Sequence, residues 1–247
     1  SYTEADYKAL WERRNDKTEN PARPWVVTDR RNGRQQYVYL ANFDWYNYLY
    51  DDSRPTWDHN INIKGGTKAL SYMVSGRYYQ QKGVNRIEPD MFKSYNFRVK
   101  LQAEIKPWLT IASNTKFFQS NYKYYGYEDE YNNFRKPTLH ALASFVPVNP
   151  DGTAVSHTSM TQSSTHYLMD GYSAMMQKGK SFGNKKTQEI TTTFEATFKL
   201  HKNFNVKADF SYTQGYLHND YRSVNVQYSQ YPGEVMTEPE GSFPNKY

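Results

Sequence analysis

Cysteine is absent from this chain, which removes disulfides, thiolate metal sites and thiol nucleophiles together. An oxidising compartment stays open, because a protein can live there without cysteine. Long apolar runs are absent too. Nothing approaches the ~18 to 20 consecutive apolar residues of a membrane-crossing helix, and mean hydropathy is −0.96. No basic segment followed by an apolar stretch opens the chain, so no secretory signal is read there; the chain is expected to be cytosolic, or mature or fragmentary material. Aliphatic residues are scarce, whereas aromatics reach 17%, with 24 Tyr, 13 Phe and 5 Trp among 247 residues. That aromatic load argues against disorder, and the length allows one large domain or two small ones. The balance of 31 basic against 25 acidic residues, net +6, permits an anionic partner without demanding one.

Residues 1–56 show no clear period and read as a lead-in. Ser1–Arg14 has the character of a short helix, with Thr3 and Asp6 in a capping-box arrangement, and Asn20-Pro21-Ala22-Arg23-Pro24 breaks the chain after it. From residue 57 the period becomes two. In Lys93–Lys106, Tyr95, Phe97, Val99, Leu101, Ala103 and Ile105 alternate without a break against Asn96, Arg98, Lys100, Gln102, Glu104 and Lys106. Thr187–Leu200 and the stretch from Phe204 to Thr213 repeat the pattern. Leu70, Tyr72, Val74 and Tyr78 likewise oppose Ser71, Ser75 and Arg77, and weaker versions lie at His59–Lys64 and Leu109–Phe118. The expectation is four strands over 57–118 and a hairpin over 187–215.

The connections alternate strictly between short and long. Lys64-Gly65-Gly66-Thr67, Lys106-Pro107-Trp108 and His201-Lys202-Asn203 read as tight turns. Between them lie Lys82–Phe92, a loop over 119–186, and a further loop over 216–247. A connection of roughly 65 residues is far too long for an ordinary compact domain. Short turns on one rim and long loops on the other are the habit of transmembrane β-barrels. Lys93–Lys106 and Thr187–Leu200 also exceed the ~9 to 11 residues a membrane-crossing strand needs. Aromatics flank the apolar bands, Trp108 and Phe204 at one end, Tyr78, Phe117, Phe118 and Tyr212 at the other, as interfacial girdles do. The predicted fold class is all-β: antiparallel up-and-down strands forming part of a transmembrane β-barrel, with short periplasmic turns and long extracellular loops. A soluble antiparallel sandwich with a polar outer face is the alternative. Six strands cannot close a barrel whose smallest bacterial form has eight, so the chain reads as an internal piece of something larger.

Motifs of chemistry are weak. Ala174–Ser181 mimics a phosphate loop, but Ala replaces the first Gly and no apolar strand precedes it. His59, His140, His157, His166, His201 and His218 show no metal-ligand spacing, so no metal site is expected. Nothing like a nucleophile elbow fixes a serine, and Glu128-Asp129-Glu130 reads as a loop tip sooner than a Ca²⁺ site. No enzyme and no cofactor are expected. The informative cluster is Tyr122, Tyr124, Tyr125, Tyr127 and Tyr131, with Phe134 beside them. Aromatic faces stack on sugar rings and Tyr hydroxyls add hydrogen bonds, so these five are the candidate ligand-binding residues. The other reading is an interfacial girdle or a contact with a partner protein. Tyr167, Tyr172, Tyr221, Tyr228 and Tyr231 are weaker candidates.

A specific run of words lies in Asp44-Trp45-Tyr46, Trp57-Asp58-His59-Asn60-Ile61-Asn62-Ile63-Lys64-Gly65-Gly66-Thr67, Tyr72-Met73-Val74-Ser75-Gly76-Arg77-Tyr78 and Gln81-Lys82-Gly83-Val84. It resembles the early barrel region of SusC/RagA-type TonB-dependent outer-membrane transporters from Bacteroidota. Lys64 stands where that family usually has Ser, and Phe92-Lys93 departs from its common Tyr-x-Arg. Tyr95-Asn96-Phe97-Arg98 and Trp108-Leu109-Thr110-Ile111 are similar to later steps of the pattern. The resemblance is specific over about residues 44–115. It implies a 22-stranded barrel with an N-terminal plug, a SusD-like surface lipoprotein as lid, and TonB as the source of energy through an N-terminal region that this chain does not contain. It implies import of oligosaccharides chiefly, and of oligopeptides in some members. Gly65-Gly66 is expected to supply the positive φ of a tight turn, so these words build the barrel. A secreted carbohydrate-binding β-module and a single-stranded nucleic-acid binder are the competing classes. The second is opposed by Glu and Asp mixed among the basic residues, and no nucleic-acid partner is expected.

Overall fold

The computed structural model describes residues 2–125, 141–155, 182–222 and 227–237. Its main feature is a six-stranded antiparallel meander of β3 (Thr56–Gly66), β4 (Leu70–Lys82), β5 (Met91–Lys106), β6 (Leu109–Tyr125), β7 (Phe182–His201) and β8 (Phe204–Arg222), each paired with its neighbour in sequence. The up-and-down topology and the alternation of short and long connections follow the sequence reading. Tight turns at 67–69, 107–108 and 202–203 lie on one rim, and the connection over 83–90, the end of β6 at Tyr125 and the start of β7 at Phe182 lie on the other.

Register sorts the side chains into two faces. Ile63, Val74, Val99, Thr115, Thr192 and Tyr212 form one row, and Ile61, Gly76, Phe97, Phe117, Ile190 and Gln214 the next. This face carries the large apolar side chains and leaves them in the open: Ile61 is 64% exposed, Phe194 55% and Phe210 65%. Aromatics bracket it. His59, Tyr78 and Tyr95 share a row near the long-connection rim, with Tyr78 and Tyr95 5.2 Å apart, and Trp108 stacks on Phe198 at 6.4 Å near the turns. The opposite face is polar: Arg77 bonds Asp58 through two nitrogens at 2.9 and 2.7 Å, and Lys207 meets Glu195 at 2.6 Å.

The strands outrun the sequence reading at the long-connection rim. β6 continues to Tyr125 where the expectation ended it at Phe118, β7 begins at Phe182 instead of Thr187, and β8 reaches Arg222. The physical reason is that the apolar alternation stops with the apolar band. The backbone ladder goes on, held by pairs such as Gln119↔Gln188 and Asn121↔Lys186 that carry no hydrophobic signal. The loop expected over 119–186 is therefore strand at both ends.

Residues 2–50 also hold more structure than a lead-in. The helix α1 (Glu4–Arg13) starts on the expected capping box: Thr3 accepts from the Asp6 amide while the Asp6 carboxylate accepts from the Thr3 amide. β1 (Val26–Arg31) and β2 (Arg34–Tyr39) form a hairpin whose turn residues, Asn32 at φ 52° and Gly33 at φ 80°, have the paired positive φ that Asn-Gly favours. α2 (Trp45–Leu49) follows. Trp25, Tyr37–Ala41, Trp45 and Leu49 bury themselves with Phe145, Val146 and Val155 from the connection between β6 and β7. Each fully buried aliphatic or aromatic side chain contributes about 1.5–3 kcal/mol before entropy is counted. A second small hairpin, β9 (Gln227–Tyr231) and β10 (Glu234–Thr237), joins this annex through the Ser229 amide, which donates to Ala154 O at 3.0 Å. Asn149 is the polar hub. Its Nδ2 donates to Thr153 Oγ1 and to Ser229 O, and its Oδ1 accepts from the buried Tyr39 hydroxyl at 2.8 Å. Burial, reinforced by the neighbouring Asp151 carboxylate, pushes the Tyr37 hydroxyl up to about 12.

Candidate functional site

The annex docks on the connection over 83–90. Asp51 receives Arg86 at 2.9 Å and Lys82 at 3.6 Å, its amide donates to Val84 O, and the Arg86 amide donates to Leu49 O. Gly83 is required there by close approach: a Cβ would collide with the Asp90 carboxylate, which lies against it. Asp90 Oδ1 is buried there without a hydrogen-bond partner among the described residues, while Oδ2 accepts from the Tyr122 hydroxyl at 3.3 Å.

Below this junction, on the polar face, lies a groove of about 520 Å³ whose walls include Arg54, Gln81, Asp90, Phe92, Tyr122 and Lys185. Gln81, Phe92, Tyr122 and Lys185 fall on one register row. Arg54 and Lys185 form no ion pair among the described residues. Two aromatic rings, two cations, a carboxylate and an amide thus converge on a concave surface. That set can stack on a ring and hydrogen-bond a polar ligand. Among the described residues no cluster of His, Asp and Glu has the makings of a metal site.

The tyrosines singled out from sequence divide. Tyr122 and Tyr124 both lie on the polar face of β6, their rings stacked at 5.6 Å. Tyr124 is buried because its ring lies over Gly183, which has no side chain to obstruct it and whose other register partner is Tyr221. Tyr125 faces the opposite way, beside Lys123, whose ammonium sits 5.2 Å from its ring centre. Tyr127 and Tyr131, with Phe134, Tyr167 and Tyr172, lie outside the described residues. Tyr228 and Tyr231 belong to the annex, the latter beneath the Arg34 guanidinium. Sequence reading missed Arg54, Asp90, Phe92 and Lys185. A signal for Phe92 and Lys185 exists in strand parity: both fall on the polar side of the alternation and keep step with Tyr122. Nothing local marks Arg54 or Asp90.

The sequence matches no protein-family model and no curated protein sequence. Among solved structures, the RagAB peptide transporter aligns over 74% of this chain and 20% of its own, at 20% identity and a TM-score of 0.55. The likeness is one of fold. The RagAB peptide importer in its closed-closed state aligns over 71% of this chain and 19% of its own, at 22% identity and a TM-score of 0.49. The chain therefore spans about a fifth of the length of the RagAB chains it is similar to. The six-stranded meander corresponds to part of a β-barrel. Among the described residues no helix is long and apolar enough to cross a membrane.

Proposed function

We propose that this chain is a section of the barrel wall of a SusC/RagA-type TonB-dependent outer-membrane importer, and that its cargo is an oligosaccharide. The observation that carries this reading is the two-faced sheet, with bulky apolar side chains open on one side and paired charges on the other. A soluble sandwich would cover that apolar face, whereas a barrel turns it to lipid. From Tyr95 to Ile105 the apolar rows run some ten residue steps, ~34 Å along the strand, which at a ~40° tilt is roughly the 25 Å apolar band of outer-membrane barrels. The words between Asp44 and Gly83 and the fold likeness support the same assignment. The turn rim would then be periplasmic, and the annex with the groove would be extracellular. A SusD-like lipoprotein would close over that side, and TonB would act through a region outside this chain.

Tyr122 and Phe92 support a glycan cargo, since aromatic rings stack on sugar rings while Gln81, Asp90 and Arg54 meet hydroxyls. Oligopeptide import is the second reading, favoured by the likeness to a peptide transporter. Detergent extraction of the native protein carrying this segment tests the assignment. A membrane species several times heavier than 29.1 kDa, co-purifying with a lipoprotein, is expected; a soluble monomer would overturn it. Uptake by cells with and without the gene, offered oligosaccharides and oligopeptides in parallel, then separates the cargoes. Tyr122→Ala should lower uptake of the true cargo roughly tenfold.

A further inference from the structure

We propose that the outward, apolar face of the sheet carries a site for the phosphate of an outer-leaflet lipid, made by Lys93 and Lys186; this rests on the barrel-wall reading and is independent of the cargo. On that face, the rows from Leu109, Phe198 and Val206 up to Ile61, Phe97, Phe117 and Ile190 contain no Lys, Arg, Asp or Glu. The next row is the aromatic one, His59, Tyr78, Tyr95, Gln119, Gln188 and Tyr216. Immediately beyond it the face turns basic. One row runs Trp57, Gln80, Lys93, Asn121, Lys186 and His218, and the following one runs Lys82, Met91, Lys123, Asn184 and Asp220.

Most charges on these two rows are engaged within the chain. Lys82 meets Asp51 at 3.6 Å, His218 pairs with Asp220, and the Lys123 ammonium lies 5.2 Å from the Tyr125 ring centre. Lys93 and Lys186 have no ion pair among the described residues. Neither turns to the Asn121 amide between them, whose Oδ1 is buried without a partner among the described residues. They sit on β5 and β7, inside the sheet, whose free edges are β3 and β8. Further barrel strands join at those edges and a plug fills the opposite face, so neither covers this pair. Height decides what does. One row is ~7 Å along the strand, or ~5 Å along the membrane normal at a ~40° tilt. The pair therefore stands ~5 Å outside the apolar band that ends at Tyr95, within a headgroup layer roughly 5–7 Å deep.

The wall beneath the pair fits a lipid. Lys93 and Lys186 flank β6 at ~10 Å between backbones, close enough for two long side chains to meet one phosphate, to which lysine binds as a point charge. Both are half-buried, their stems along the wall, as lysine does at a lipid interface. Under Asn121 and Lys186 the aromatic row is interrupted: Gln119 and Gln188 stand where rings stand at Tyr95 and Tyr216, and Gln188 Nε2 donates to Gln119 Oε1 at 2.7 Å. Below them come Phe117 and Ile190. Ammonium pair, amide pair and apolar wall thus follow the order of a lipid's phosphate, hydroxyl-bearing backbone and acyl chains.

The test uses the intact native protein, stripped of lipid in neutral detergent, and native mass spectrometry with lipid A and its dephosphorylated form. Lipid A is expected to bind roughly tenfold or more tightly. Lys93→Gln with Lys186→Gln should remove that factor. Binding of the dephosphorylated form and the melting temperature in detergent should stay unchanged, because neither lysine holds an ion pair; the loss is then not one of folding. Equal binding of the two lipids, or a preference that survives the double variant, would overturn the lysine site and leave the barrel reading standing. If inorganic phosphate shields the two lysines from acetylation as well as lipid A does, the occupant is a free anion and the lipid assignment falls. Carbodiimide coupling of either lysine to an acidic residue of the same polypeptide in native membranes would overturn it in favour of the protein's own chain. A native protein that stays soluble without detergent would overturn the barrel reading and the site together.

Discussion

Gly183 shows how one missing methyl group shapes the groove. Tyr124 covers it, and Tyr124 in turn stacks on Tyr122, the residue bonded to Asp90. Gly183→Ala is expected to displace the Tyr124 ring and cost about 1–3 kcal/mol, read from the denaturation midpoint. Tyr124→Ala makes room for the methyl, so the double variant should be less damaged than the sum of the two; simple additivity would show that the ring does not depend on the glycine. Asp6 carries a different kind of dependence. Burial pushes its carboxyl up, but hydrogen bonds from Arg31 and Thr3 outweigh burial and hold it below the usual carboxylate range. A depressed carboxyl contributes stability above its ordinary value near ~4, and that contribution is lost as pH falls through the lower folded value. Protection of the α1 amides against exchange should therefore fall below about pH 4, and Asp6→Asn should flatten that acid limb. An unchanged acid limb in the variant would exclude Asp6 as its source.

At the scale of elements, the β1–β2 hairpin and the long strands teach opposite lessons. Val26–Tyr39 lacks clean alternation because β2 buries Gln36, Tyr37, Val38 and Tyr39 in succession within the annex. Its signal was the turn: Asn32-Gly33 is the dipeptide that tolerates two positive φ values, and reading for period alone passes over it. Gly33→Val should destabilise the annex by about 1–2 kcal/mol, seen as faster proteolysis of residues 2–50 with the sheet intact; equal protection would show that the turn is not limiting. In the long strands period was the signal, and it ended with the apolar band. Gly65 and Gly66 likewise divide the role expected of them together. Gly66 holds φ 154° with the Leu70 carbonyl against it, whereas Gly65 is needed because the Tyr72 ring crosses it.

For the whole molecule, the annex ties three distant parts of the chain to one core. Residues 2–50, 141–155 and 227–237 meet at Asn149, whose side chain reaches Tyr39, Thr153 and Ser229. Asn149→Leu strands buried acceptors and donors at a cost of about 1–3 kcal/mol for each. Limited proteolysis should then cut within 141–155 and 227–237 together, since both lose the same anchor. Cutting in one segment alone would mean that the hub does not couple them. This coupling holds the strand connections against the rim where Arg54, Asp90 and Tyr122 converge.

The unbroken alternation from Tyr95 to Ile105 was enough to determine a two-faced antiparallel strand, because side chains on a pleated backbone must point to opposite sides. The short turns at Gly66, Pro107 and Asn203 were enough to determine the meander, because antiparallel neighbours need only a few residues to reverse. The five tyrosines named a chemistry but not a place. Tertiary structure decided that Tyr122 and Tyr124 share a face and Tyr125 does not, because β6 persists past its apolar residues on hydrogen bonds that leave no trace in hydropathy. It also decided the partners of Tyr122. Asp90 and Arg54 reach the groove from a connection and a strand entrance, and only long-range packing of the annex brings such segments together.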